Sequence, residues 1–209
     1  MPDPSSAFEP IPRCLPQEEV ARFFAAIEPP RDRALFSLVY LYALRVSEVA
    51  LLLRRDVDFE HTRITIKRVK RGYWSIRPLL ATAADLLTTY LAPLYLLPDA
   101  PLFPGRYGAL KKRQIQTLFG QYRDRAGLAS DIGCHSLRHS IATHMLEGGF
   151  SLKVIQDHLG HRNVRSTSIY TRVTDRYREA VFERLETSPS IVRPGASVGP
   201  NVATCSKEA

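Results

Sequence analysis

Four stretches of the sequence hold side chains suited to work on a negatively charged group. In CHSLRHSIATHMLEGG, His135 and Arg138 stand three residues apart. On a helix that spacing brings both to one face near the N-terminal end, where free backbone amides also favour an anion. Such a pair would grip a phosphate. Two plainer readings stand beside this one: His135 as a helix cap with Arg138 as a surface charge, or His135 and His139, one turn apart, as zinc ligands. The zinc pattern lacks the glutamate of H-E-x-x-H, because Ser136 occupies its place.

In HLGHRNVRSTSIYTRV, a loop after Leu159 presents His161, and the short helix that follows ends at Tyr170. Taken alone, a tyrosine there reads as core or interface. In YALRVSEVALLLRRDVD, Arg45 follows a strongly apolar helix and stands near Glu48. A guanidinium in that setting needs an anion, and a salt bridge to Glu48 and a phosphate role are both open. The fourth stretch holds Lys67, Arg68, Lys70 and Arg71 with no acid nearby. Residue by residue, such a run reads as a solvated face.

The elements that must position these residues are mainly helical. Pro16 followed by Gln17, Glu18 and Glu19 opens a helix whose buried stripe is Val20, Phe23, Phe24 and Ile27. A nearly all-apolar helix is predicted over 31–44 and a short one over 47–53. Apolar and polar residues then alternate over 57–59, 63–67 and 74–77, which predicts a small antiparallel sheet with a basic turn. Helical periodicity returns over 83–97, 109–126, 135–147, 152–159, 164–170 and 175–185. Gly148 and Gly149 end one of these helices and Ser151 caps the next. The expected fold class is α+β, mainly helical, with one three-stranded antiparallel sheet near the first third.

The 209 residues suffice for one domain, and Lys plus Arg exceed Asp plus Glu by eight, 29 against 21. That balance favours a polyanionic partner, nucleic acid ahead of a membrane surface. No apolar run is long enough to span a bilayer and the N-terminus lacks a secretory pattern, so a soluble, cytoplasmic protein is expected. Cys14, Cys134 and Cys205 are odd in number and widely spaced, which predicts free thiols. Residues 1–10 and 188–209 are poor in large apolar groups and are expected to be flexible ends around a domain at 11–187.

Together the four segments resemble the tyrosine recombinase and phage integrase family over about 15–185. ALRVSEV is similar to the family's first-arginine motif, HSLRHSIATHML to its H-x-x-R box, and LGHRNVRSTSIYTRV to the box that joins its second histidine to the nucleophile. In KRVKRGYWSIRPL, counting back from Pro78 sets Lys70 at the family's catalytic lysine. Val69 stands where a glycine is often found, and Lys67 is a close competitor. The resemblance implies a catalytic domain that breaks and rejoins DNA through a 3′-phosphotyrosine, with no metal, cofactor or ATP.

On that resemblance Arg45, Arg138 and His161 meet the non-bridging oxygens, Tyr170 is the nucleophile, His135 assists removal of its proton, and Lys70 protonates the leaving 5′-oxygen. Glu48 and Asp157 read as supports. Arg71, Lys111, Lys112, Arg113, Arg123 and Arg125 read as contacts to the phosphate backbone, or simply as solubilising charge. The implied partners are double-stranded DNA and further copies of the chain in a tetrameric synapse. An accessory domain or protein would stand in for the family's N-terminal clamp domain. The helix over 175–185 is expected either to dock on a neighbouring subunit or to pack on its own domain. Strand nicking and closing of the type IB topoisomerase kind, a DNA-binding module without catalysis, and a zinc hydrolase are the competing classes.

Overall fold

The computed structural model describes residues 13–68 and 73–160. Lys70, Arg71, His161 and Tyr170, the helices expected over 164–170 and 175–185, and both expected flexible ends lie outside them. The described residues form the mainly helical fold with one three-stranded antiparallel sheet that the periodicity predicts. Helix α1 (Gln17–Ala25) starts behind Pro16 with Glu18 and Glu19 in its first turn, and buries Val20 and Phe23. Helix α2 (Pro30–Leu41) has proline in its first turn and buries every residue from Ala34 to Val39, as a central helix must. The Phe23 ring meets Phe36 of α2 edge-on at 5.6 Å and lies 4.7 Å from Phe119.

The helix expected over 47–53 is only one turn long, α3 (Val46–Val49). Its continuation is captured by another strand-like segment: Leu102 N–H donates to the Leu52 carbonyl at 2.8 Å, and Arg54 N–H to Ala100 at 2.9 Å. A 3-10 turn (Arg54–Asp56) leads into β1 (Val57–Asp58), β2 (Arg63–Arg68) and β3 (Tyr73–Pro78), paired antiparallel in that order. Ile64 and Ile66 turn inward, and the register sets Arg77 opposite Ile64 and Ser75 opposite Ile66 on that same inner face.

Helix α4 (Ala81–Leu91) stops well short of the expected residue 97, because Pro93 lacks the N–H that would continue the hydrogen-bond ladder and its ring crowds the carbonyl four residues back. Before α5 (Lys112–Arg125) comes an unexpected hairpin, β4 (Pro104–Gly105) and β5 (Gly108–Ala109); strands of two residues are too short to show alternation. Helices α6 (Cys134–Glu147) and α7 (Leu152–Leu159) complete the described chain. Ser151 caps α7 by accepting from Val154 N–H, as expected.

Two apolar clusters result. The larger joins α1, α2, α4, α5, the sheet and the start of α6 through Phe23, Phe36, Phe119, Leu87, Ile64 and Leu137. The smaller holds Ala43, Ala142, Leu146, Ile155 and Leu159, and so joins the end of α2 to α6 and α7. Helix α6 belongs to both.

Candidate active site

The first arginine is positioned by the way α2 ends. Ala43 adopts φ +50°, its N–H bonds to the Tyr40 carbonyl at 3.1 Å, and Leu44 N–H reaches back to Val39 at 3.0 Å. This is a left-handed helix termination of the kind usually given to glycine, as Gly149 does with φ +79° at the end of α6. At Ala43 the methyl is retained because it is fully buried in the smaller cluster. Its contribution there offsets strain of about 1 kcal/mol.

The chain then leaves Ala43 in a new direction, and Arg45 becomes the N-cap of α3. Glu48, 0% exposed, accepts from the Arg45 backbone N–H at 2.9 Å with one carboxylate oxygen, and from Arg45 Nη1 at 2.9 Å with the other. The expected support role of Glu48 thus has a geometry: one carboxylate fixes both the main chain and the side chain of Arg45, whose side chain stays 22% exposed. The salt bridge and a phosphate role are compatible, since a guanidinium has five N–H donors in a fork.

Arg138 is not a surface charge. It is 1% exposed, and its guanidinium reaches inward from α6 to two backbone carbonyls. One Nη donates to Ala43, 95 residues away in sequence, and the other to Leu159 at 2.6 Å. The side chain therefore ties the turn that leads to Arg45 to the helix end that precedes His161. A buried cation is stable there because the last carbonyls of a helix carry partial negative charge and accept strongly. Arg77 does the same from the sheet: its Nη2 donates to the Asp157 carbonyl at 2.5 Å and its Nε to Ser75 Oγ at 2.9 Å. Arg77 escaped the sequence reading, where the lysines of its hairpin drew attention. Its only available signal was a cation at an inward position of an alternating strand.

His135 is exposed in the first turn of α6, at a shallower depth than Arg138, and its ring meets His139 edge-on at 4.7 Å between centroids. It is not the cap. Gly133 holds that position, and Ser136 Oγ accepts from Gly133 N–H at 3.3 Å. Among the described residues no group of three or more His, Cys, Asp or Glu is placed to hold a metal ion. Burial pushes the Cys134 thiol up to about 12, which leaves it protonated and inert. Lys67, the competitor for the lysine role, lies on the outer face of the sheet with its Nζ 5.4 Å from the Trp74 ring centroid. Arg77 and the end of α7 are on the other side.

The expected backbone contacts divide in two. Lys111, Lys112 and Arg113 are exposed at the start of α5. With Arg31 and Arg106, Lys111 and Arg113 line an open cleft of about 670 Å³. Arg31 is held there by buried Asp32 at 2.7 Å, and Asp32 accepts in turn from Tyr122 Oη at 2.6 Å. Burial and that contact push the Tyr122 hydroxyl up to about 12. Arg31 and Arg106 were not anticipated, since neither stands in a charge run. Arg123 has different work: it donates to Ser130 and Ile132 carbonyls at 2.7 and 3.3 Å and pairs with Asp124, clasping the loop that leads into α6.

The profile of the phage integrase family matches residues 13–176. The chain belongs to that family. It is 37% identical over 171 residues to the tyrosine recombinase XerA of Thermococcus onnurineus, covering 78% of this chain and 59% of that one. It is 36% identical over 180 residues to the tyrosine recombinase XerC of Chromobacterium violaceum, covering 83% and 60%. The chain thus spans about three-fifths of the length of these curated relatives. Among solved structures, an XerA recombinase superposes with TM-score 0.73 at 26% identity, over 88% of this chain and 66% of that one. The XerH site-specific recombinase bound to its palindromic difH substrate in a post-cleavage complex does so with TM-score 0.73 at 27% identity, over 87% and 56%.

Proposed function

We propose that this chain is the catalytic part of a site-specific DNA recombinase that breaks and rejoins strands through a phosphodiester transferred to Tyr170. One observation carries this reading. The Arg138 guanidinium bonds at once to the carbonyl two residues before Arg45 and to the carbonyl two residues before His161. Motif segments far apart in sequence therefore meet around one buried cation. The relatives named as tyrosine recombinases, and the XerH site-specific recombinase solved on its difH substrate, support the same chemistry.

Attack on a phosphodiester builds negative charge on the non-bridging oxygens, and Arg45, Arg138 and His161 supply cations and donors to meet it. Tyr170 Oη forms a bond to phosphorus as the bond to the 5′-oxygen breaks. Freeing the phenolate from an ordinary phenol at neutral pH costs about 4 kcal/mol, which the positive field lowers while His135 takes the proton. Lys70 gives a proton to the departing 5′-oxygen. The phosphotyrosine keeps the energy of the cut bond, so a free 5′-hydroxyl can reverse the step without ATP. Arg31, Arg106, Lys111 and Arg113 would hold the flanking backbone in register, with Lys112 and Arg71 beside them. Recombination in this reading assembles several copies on paired DNA sites.

The reading is tested with a nicked suicide duplex in the presence of chelator, by looking for a detergent-resistant protein–DNA adduct. We expect an adduct from the parent chain, none from Tyr170→Phe, a loss of about a hundredfold or more in Arg138→Ala, and little change in Lys67→Ala. An undiminished adduct in Tyr170→Phe overturns the nucleophile, and loss of the parent adduct in chelator overturns the metal-free route.

A further inference from the structure

Ion pairs among the described residues are of two kinds. In most the acid keeps contact with water, as Asp131, Asp99 and Asp124 do, and such pairs contribute little. In two the acid is buried while the arginine is not: Glu48 with Arg45, at 0% and 22% exposed, and Asp32 with Arg31, at 2% and 35%. The first pair sets an arginine of the candidate active site. We propose that the second does equivalent work for DNA binding: Asp32, steadied by Tyr122, is a positioning residue that presets Arg31 to take a phosphate of the duplex backbone. This rests on the DNA-acting reading above and concerns binding, apart from the chemistry of Tyr170.

A buried carboxylate is unfavourable unless both oxygens are satisfied. Asp32 Oδ1 accepts from Arg31 Nε at 2.7 Å, and Oδ2 accepts from Tyr122 Oη at 2.6 Å, 90 residues away on α5. Tyr122 is itself fixed in the larger cluster, with its ring edge-on to Phe36 at 6.0 Å. The carboxylate thus has one orientation, and Arg31 Nε has one place to bond. A surface arginine ordinarily loses rotamer freedom when it grips a ligand; here that loss is taken on folding. The bond to Asp32 uses Nε, and the Nη donors of the fork are left to pair with a phosphate.

The surroundings of Arg31 select an anion. It lines the cleft of about 670 Å³ with Arg106, Lys111 and Arg113, and no acidic side chain is among the lining residues. These cations come from three places, the start of α2, the β4–β5 turn and the start of α5. Such a spread around an open cleft suits successive phosphates of one strand better than a single small anion. Asp32 is shielded behind Arg31, so its charge acts on the guanidinium far more than on a ligand in the cleft.

This arrangement predicts an effect opposite in sign to that of bulk charge. Asp32→Asn makes the chain more positive, which by charge alone tightens DNA binding. If Asp32 presets Arg31, the same substitution weakens it. The full chain is titrated against a fluorescein-labelled duplex of mixed sequence, and anisotropy is followed over a range of salt. Arg31→Gln is expected to weaken binding about five- to twentyfold and to lower the slope of log affinity against log salt by about one. Asp32→Asn should weaken it about threefold or more, and Tyr122→Phe, which keeps the ring in place, about twofold. With Arg31→Gln already present, neither second substitution should weaken binding further, because the residue they position is gone.

A merely structural role would carry the same losses into the Arg31→Gln background, and that result overturns the proposal. So does Asp32→Asn binding as tightly as the parent or more tightly. If Asp32→Asn does not fold, Tyr122→Phe decides by the same cross: a loss confined to chains that retain Arg31 supports the role, and an equal loss or none in both backgrounds overturns it. A parent chain that does not bind the duplex instead fails the DNA-acting reading, and the positioning role with it.

Discussion

The two apolar clusters are held by different physics. Around Phe23, Phe36 and Phe119 aromatic rings pack edge to face or tilted, at 4.7–5.8 Å between centroids, and burial of area is sufficient to fix the elements. Around Leu159 the described cluster has only five buried members, two of them alanines. Among the described residues α7 is held as well by directional bonds: Arg138 to Leu159, Arg77 to Asp157, and the Ser151 cap. Arg45 and Arg138 stand along the seam between the two, where α6 also offers Ser140 Oγ to Leu15 N–H at 2.7 Å and His144 Nδ1 to Tyr40 Oη at 2.8 Å. A large core makes a rigid platform. A small patch held by guanidinium groups can be pre-aligned and still yield when a ligand binds, the pattern expected of low-stability elements near a functional site.

Substitutions in the two regions should therefore differ in kind as well as in size. Phe119→Ala, in the larger cluster, is expected to cost about 3–5 kcal/mol and to lower a single cooperative unfolding transition followed by denaturant. Arg138→Met keeps the stem but strands two buried carbonyls, at about 2–3 kcal/mol. Here hydrogen exchange is the informative measurement: amides of α7 should lose protection while those of α2 keep most of theirs. Uniform loss across both helices would erase the distinction between the regions.

The smallest effect belongs to His144. Burial lowers its pKa below the ordinary 6.5, against the opposing pull of Glu147 and the Leu15 carbonyl. A neutral ring suits both contacts, donating to Leu15 and accepting from Tyr40. Since the folded pKa is depressed, this contribution is complete above about 6.5 and is lost as pH falls from there through the folded value. Thermal unfolding between pH 7.5 and 5 should show a shallow decline that His144→Gln flattens. An unchanged slope in the variant would move the pH dependence elsewhere.

Much of the frame is legible in the residues. Ser151 and the left-handed Gly160 bracket α7 at the expected ends, and the alternation of Ile64 and Ile66 with basic neighbours marks the sheet and its inner face. The expected helix at 83–97 overran because apolar Leu94, Tyr95 and Leu97 suggested a continuing stripe. They are exposed, and Pro93 had already ended the turn. The hairpin at 104–109 and the shortening of α3 had no local mark, since each depends on backbone pairing with a partner chosen by the fold. Arg123 read as an outward contact, because its carbonyl acceptors lie in a loop that only tertiary structure brings to it.

The sequence by itself determined which residue types are available for phosphate chemistry, the helices and strands that bear them, and the family, because periodicity, caps and motif spacing are local properties of the chain. Tertiary structure alone decided that Arg138 is a buried clasp, that Glu48 fixes Arg45 twice, and that Arg77 ties the sheet to α7. In the two arginine clasps the acceptors are main-chain carbonyls. Every residue has one, so no side-chain pattern announces which of them a distant guanidinium will find.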